Sequence, residues 1–163
     1  MSKMLLLISR LLARGKNLLN NQVSMTTKAI VLDANILIRA VLGKRVRALI
    51  LENADNVKFF APSVAYADAR KYLPALLEKR GVKGAVALAV LDSLASVVQS
   101  VDEELYVGMQ VQALQRIAMR DADDWPVLAC AMSMGCPVWT EDTDFFGTGV
   151  ATWTTDRIQL YFI

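Results

Sequence analysis

The chain has 163 residues, 55% of them apolar, enough for one domain with a sizeable core. Its net charge is only +2 and it contains no histidine, which excludes Ser-His-Asp and Cys-His catalysis, zinc sites built on imidazole, and a histidine general base. An enzyme of this composition must work through carboxylates and a metal ion.

Residues 1–25 carry Lys3, Arg10, Arg14 and Lys16 and no acid. The apolar run at residues 4–8 begins like a signal peptide, but Arg10 and Arg14 interrupt it and no small-residue cleavage site follows. The segment reads as a basic amphipathic extension able to touch a membrane or a partner, or as sequence upstream of a true start at Met25. The polar Asn20-Asn21-Gln22 stretch marks the boundary in either case, and the domain proper takes residues 26–163. No apolar run approaches the roughly 20 residues needed to cross a bilayer, so stable membrane insertion is not expected.

Residues 28–33 (KAIVLD) form a short apolar run ending in an acid, the pattern of a buried strand in a parallel sheet. Helical periodicity follows over residues 35–51, with Ile36, Leu37, Val41, Leu42, Val46, Leu49 and Ile50 on one face. A second strand is expected over 57–61. Pro62-Ser63 opens a helix reaching to about Arg80, with Pro74 placed to kink it and Gly81 to end it. Residues 85–98 read as a helix that is apolar almost all round, hence buried, and 99–102 as a short strand or turn. Acids at 102–104 sit where the dipole of a helix running to about Met119 favours them. After the polar loop 121–124, a helix over 125–134 is closed by Gly135. Residues 137–140 are the next buried strand, 151–155 a last short one, and 160–163 an apolar tail. Strands alternating with helices predict an α/β three-layer sandwich over a central parallel sheet. Cys130 and Cys136 fit neither CxxC nor zinc spacing and read as reduced, buried thiols of a cytoplasmic protein.

Charge is unevenly spread. Residues 39–83 hold ten Lys/Arg against four acids, and residues 92–157 eleven acids against three arginines, so a basic half adjoins an acidic one. Solvated helix faces account for most such charges, but the same division suits a protein that attracts phosphates and holds cations. Within the acidic half and beside the first strand, the acids fall at telling places. Asp33 ends the first strand, where it either caps the next helix or serves a ligand. Asp68 lies on an otherwise apolar helix turn, where aspartate is a poor helix former and an unpaired carboxylate is costly. Asp121, Asp123 and Asp124 crowd one helix start, with Asp124 the best ligand and Asp121 or Asp123 the cap. Asp142 and Asp144 follow a strand directly. Open α/β sheets bind ligands at the carboxyl ends of their strands, so these acids form a plausible pocket for Mg²⁺ or Mn²⁺, which prefer oxygen ligands.

The order D-x-N after the first strand, P-S-x-x-x-x-D opening a helix, D-D-W-P-V-L-A before another, then G-C-P-V-W-T-E-D-x-D-F-F and a G-V-A-T-W-T-T-D segment resembles the PIN domain over roughly residues 28–163. The resemblance implies a metal-dependent endoribonuclease cutting single-stranded RNA, with four acids converging on Mg²⁺ or Mn²⁺. Many bacterial members are toxins of toxin–antitoxin pairs that form homodimers and are blocked by an antitoxin protein covering the site. By position, Asp33, Asp68, Asp124 and Asp142 correspond to the four acids, Asp144 to an accessory ligand, Asn35 to the polar residue two after the first acid, and Thr140 to the hydroxyl before the fourth. The family usually has Glu where this chain has Asp68, one methylene shorter. Asp33, Asp124 and Asp142 would then hold one metal, while Asp68 orients a second ion or the attacking water; in-line attack leaves a 5′-phosphate and a 3′-hydroxyl. Arg39 and Arg45 stand out among Arg39, Lys44, Arg45, Arg47, Arg70 and Lys71 for gripping the RNA backbone, and Tyr66 and Trp125 for stacking bases. Two rivals are a PIN-fold module with a weakened site that only binds RNA or a partner protein, suggested by Asp68, and a phosphoacceptor receiver-like domain. The latter needs a lysine at a late strand end, and none occurs after Lys83.

Overall fold

A computed structural model describes residues 27–163; the basic extension expected over 1–25 lies outside them. Five strands, β1 (Lys28–Leu32), β2 (Val57–Pro62), β3 (Val98–Val101), β4 (Val138–Trp139) and β5 (Thr152–Trp153), form one sheet in the order β3-β2-β1-β4-β5. Every pairing is parallel, with Ile30 opposite Phe59 and Val31 opposite Val138. The central strand β1 is apolar without alternation because both its faces are covered. Ile30 and Leu32 point into a cluster with Ile36, Leu37, Ile50 and Leu73, while Val31 joins Val138, Ile117, Leu128 and Phe145 on the other side. The first layer is built from α1 (Ala34–Leu42), α2 (Lys44–Asn53), α3 (Ser63–Glu78) and α4 (Gly84–Leu94) together with the short α7 (Ile158–Phe162). The second comes from α5 (Gln110–Asp121) and α6 (Trp125–Met134). This is the expected three-layer α/β sandwich.

The chain lays down β1, β2 and β3 outward in one direction, then returns to the other side of β1 with β4 and β5. Strand order therefore reverses beside β1, and a crevice opens at the carboxyl ends of β1 and β4.

Several expectations are corrected. The single helix expected over 35–51 is two, because Gly43 adopts an extended conformation (φ −134°, ψ 161°), ending α1 and starting α2. The helix expected over 85–98 stops at Leu94, and Val98 instead begins β3, which pairs with β2. Nor is that helix buried all round. Only Ala87, Leu91 and Leu94 face inward and Val86 is 57% exposed, since α4 has a partner layer on one side only. The helix expected from 102 begins at Gln110, after two short 3₁₀ turns over Glu103–Leu105 and Val107–Met109. The C-terminal residues are not a loose tail: Ile158 is fully buried, and Phe162 packs edge-on against Phe59 and Trp139.

Candidate metal centre and its polar scaffold

Asp33 sits one residue past β1 in extended conformation and caps α1, accepting the Ala34 N–H at 2.6 Å through Oδ1. Its Oδ2 accepts from the Thr140 hydroxyl (2.7 Å) and from Asn35 Nδ2 (2.7 Å). Thr140, just past β4 and fully buried, takes the Asp142 N–H at 2.9 Å. Asn35 also reaches Thr140 Oγ1 at 3.1 Å, and its own carbonyl oxygen accepts the Glu141 N–H at 3.2 Å. Asp33, Asn35 and Thr140 thus tie the ends of two adjacent strands into one network. The functional and structural readings of Asp33 merge: the carboxylate that caps the helix is also the one fixed at the crevice.

Asp33, Asp68, Asp124 and Asp142 all line one cleft of about 690 Å³. Asp68 stands on α3, and its neighbour Arg70 pairs with Asp92 at 2.7 Å instead. Asp124 precedes α6 without capping it; Asp121 does the local capping, accepting the Asp123 N–H at 2.9 Å. Asp124 Oδ2 is buried and has no hydrogen-bond partner among the described residues. Burial first, then the charges of Asp33, Asp121, Asp142 and Asp144, push its carboxyl up to about 7. Burial also raises Asp33, although the Thr140 hydroxyl and the Ala34 N–H pull it down; Asp142 and Asp68 add to the rise. Four carboxylates held together, one with an orphaned oxygen, form a set of hard oxygen donors that a divalent cation fits, because it would relieve both the repulsion and the missing partner.

Asp144 does not line the cleft with the four. One oxygen each of Asp121, Asp124 and Asp144 lies within 4.8 Å of the others, so Asp124 is shared between two overlapping acidic groups. Asp144 is placed by the 3₁₀ turn that Asp142 caps, accepting the Asp144 N–H at 2.9 Å, and by Arg120, which takes the Asp144 and Phe146 carbonyls. Lys71, one of the residues expected to grip the RNA backbone, lines the cleft, as do Glu103 and Tyr72, which the sequence does not single out as site residues. Glu103 follows β3 as Asp142 follows β4, but reads in the sequence as part of a helix start.

The remaining expectations divide. Tyr66 is buried, its hydroxyl donating to the Val98 carbonyl at 2.5 Å, so it is core and unavailable for stacking. Trp125 lines the cleft and packs on Tyr106. Arg47 donates to the Ala40 carbonyl at 3.3 Å. Arg39 and Arg45 lie outside the acidic cleft, in a neighbouring one. Cys130 and Cys136 are free and buried, as expected.

Comparison with known proteins places this geometry. A family described as PIN domain matches residues 31–163. Among solved structures, DNA-bound VapBC from Salmonella typhimurium is similar at 17% identity and TM-score 0.62, covering 78% of this chain and 98% of that one. PAE2754 from Pyrobaculum aerophilum is similar at 14% identity and TM-score 0.62, covering 83% and 90%. FitAcB from Neisseria gonorrhoeae is similar at 23% identity and TM-score 0.52, covering 77% and 97%. No curated protein matches.

Proposed function

This chain belongs to the PIN-domain family, and from that premise we propose that it is a metal-dependent endoribonuclease cleaving single-stranded RNA, the toxin of a toxin–antitoxin pair acting in the cytoplasm. The observation that carries the nuclease reading is the convergence of Asp33, Asp68, Asp124 and Asp142 on one cleft, with Asp124 Oδ2 buried and unpartnered. The VapBC and FitAcB structures, whose names carry both halves of a pair, support the toxin reading. An antitoxin protein covering the cleft and a homodimer are the partners this reading entails.

Asp33, Asp124 and Asp142 would hold Mg²⁺ or Mn²⁺, with Asp68 beside them and Asp144 as accessory. When bound, such an ion supplies positive charge against the phosphate and lowers the pKa of a water nucleophile. The protein's own part is positioning. Thr140 and Asn35 fix the Asp33 carboxylate, so that it needs no reorganisation when charge develops. Lys71, the one basic residue among the described ones lining the cleft, would offset part of the repulsion between the acids and the RNA. Asp68 or Glu103, both lining the cleft, would accept a proton from an attacking water. Hydrolysis adds water across the P–O3′ bond, leaving a 5′-phosphate and a 3′-hydroxyl.

The test is cleavage of labelled single-stranded RNA with Mn²⁺ or Mg²⁺ against EDTA, with Asp33→Asn and Asp142→Asn alongside. Metal-dependent cutting that falls by at least ~10²-fold in both variants is the expected result. RNA binding without cutting under either metal would favour the weakened module, and Asp68→Glu would then be expected to restore activity. Cutting that survives both substitutions would place the active site elsewhere.

A further inference from the structure

Beside the acidic cleft lies a second one of about 450 Å³, with Arg39, Arg45 and Arg80 on one side and Glu141, Thr155 and Asp156 on the other. Three features of it point to an anion. Arg45 pairs with Asp156 at 3.1 Å, both side chains largely exposed, while Arg39 and Arg80 form no ion pair or side-chain hydrogen bond among the described residues. The start of α2 opens here: Gly43 lines the cleft and offers no side-chain cap, and the first turn holds no acid but Lys44 and Arg45. Cations at a helix N-terminus oppose the dipole, so the uncapped helix start and the arginines share a need for negative charge, which Asp156 and Glu141 meet among the described residues lining the cleft.

The two clefts share a wall. The Glu141 N–H donates to Asn35 in the acidic network, while Glu141 Oε1 accepts the Thr155 N–H at 2.8 Å in the basic cleft. Along α1, Arg39 stands one turn beyond Asn35, about 6 Å along the axis. A strand whose scissile phosphate lies over Asp33 and Asp142 would run past Glu141 and bring a neighbouring phosphate to the arginines.

We propose that the cleft of Arg39, Arg45 and Arg80 is a phosphate subsite that grips single-stranded RNA next to the bond to be cut, with Asp156 holding Arg45 in its place until RNA arrives. The proposal rests on the nuclease reading for the identity of the anion. Phosphate contacts release counterions, so each one contributes about −0.7 to the slope of log K against log salt for a single strand.

The experiment is a salt titration of labelled single-stranded RNA binding in EDTA, where cleavage is off, followed by cleavage with Mn²⁺ over a range of RNA concentrations that spans KM. It compares the unsubstituted protein with Arg39→Gln, Arg80→Gln and Asp156→Asn. Each arginine variant is expected to make the slope shallower by about 0.7 and to raise KM while leaving kcat in place. Asp156→Asn, which removes the competing carboxylate, is expected to tighten RNA; a folding defect would not do so. Unchanged slopes in both arginine variants overturn the subsite, and if cleavage persists the nuclease reading stands without it. Shallower slopes with no cleavage under any metal keep the subsite and sink the nuclease. No RNA binding by the unsubstituted protein overturns both.

Discussion

Asp124 Oδ2 has lost water without gaining a partner, and its carboxyl is pushed up to about 7 by burial and four neighbouring acids. An acid whose folded pKa lies above its unfolded one binds more protons when folded. Its contribution to stability is full below about pH 4 and is lost as pH rises through about 7. Without metal, Asp124→Asn should therefore stabilise the protein at pH 8, by on the order of 1–2 kcal/mol, and do little at pH 4; urea unfolding at both pH values in EDTA measures this. The same linkage makes metal and proton compete, so the stabilisation conferred by Mn²⁺ should shrink as pH falls below about 7. Thr140 is the complementary case. It is fully buried, donates to Asp33 and accepts the Asp142 N–H. Thr140→Val keeps the shape but leaves the Asp142 N–H unpaired and Asp33 Oδ2 held by Asn35 alone, at about 1–3 kcal/mol, with cleavage down about 10–100-fold. A loss of stability with unchanged metal-dependent cleavage would show that Thr140 holds the strands together and nothing more.

At the scale of elements, the site depends on strand ends meeting helix starts. Asp33 joins β1 to α1, Thr140 and Asp142 follow β4, and Asp124 leads into α6. Helix α6 in turn is ended by Gly135 in the left-handed region (φ 62°), whose N–H returns to the Ala131 and Met132 carbonyls. A Cβ there would meet nothing within 4 Å, so Gly135→Ala should cost only the backbone term, about 1 kcal/mol. Gly149 differs: its φ is +86° and a Cβ would lie 3.1 Å from Arg116, whose guanidinium holds the Thr148 carbonyl. Gly149→Ala should be the more destabilising of the two by urea midpoint, because it strains the backbone and crowds the loop anchor together.

Across the whole molecule, the sheet is covered on both faces, and among the described residues each face carries one hydrophobic cluster. Cys130 and Cys136 report on the second layer. Burial raises the first thiol to about 12 and the second to about 11. Native protein should resist thiol alkylation at neutral pH and react only on unfolding; rapid labelling would mean that the α6 layer opens on its own.

Local signals determined much of this. A short apolar run bounded by polar residues suits a strand covered on both faces, so β1, β2 and β4 are legible, and so is Asp33 at a strand's end. The PIN-domain resemblance ordered the four acids before any contact was known. What the sequence could not carry was whatever two distant segments decide jointly. Residues 99–102 read as strand or turn because only pairing with β2 makes them a strand, and Glu103 reads as part of a helix start and not of the cleft. Tyr66 suits either base stacking or the core by sequence, and its hydroxyl bond to the Val98 carbonyl assigns it to the core. Asp121 read as a cap alone, and its nearness to Asp144 exists only once α5 and the turn after β4 come together. Arg39 and Arg45 read as candidates for gripping the RNA backbone, but which cleft they line follows only from the break at Gly43 and the packing around it. Periodicity reports which side of an element is buried; only closure of the chain over the sheet decides which side chains from different elements share a space.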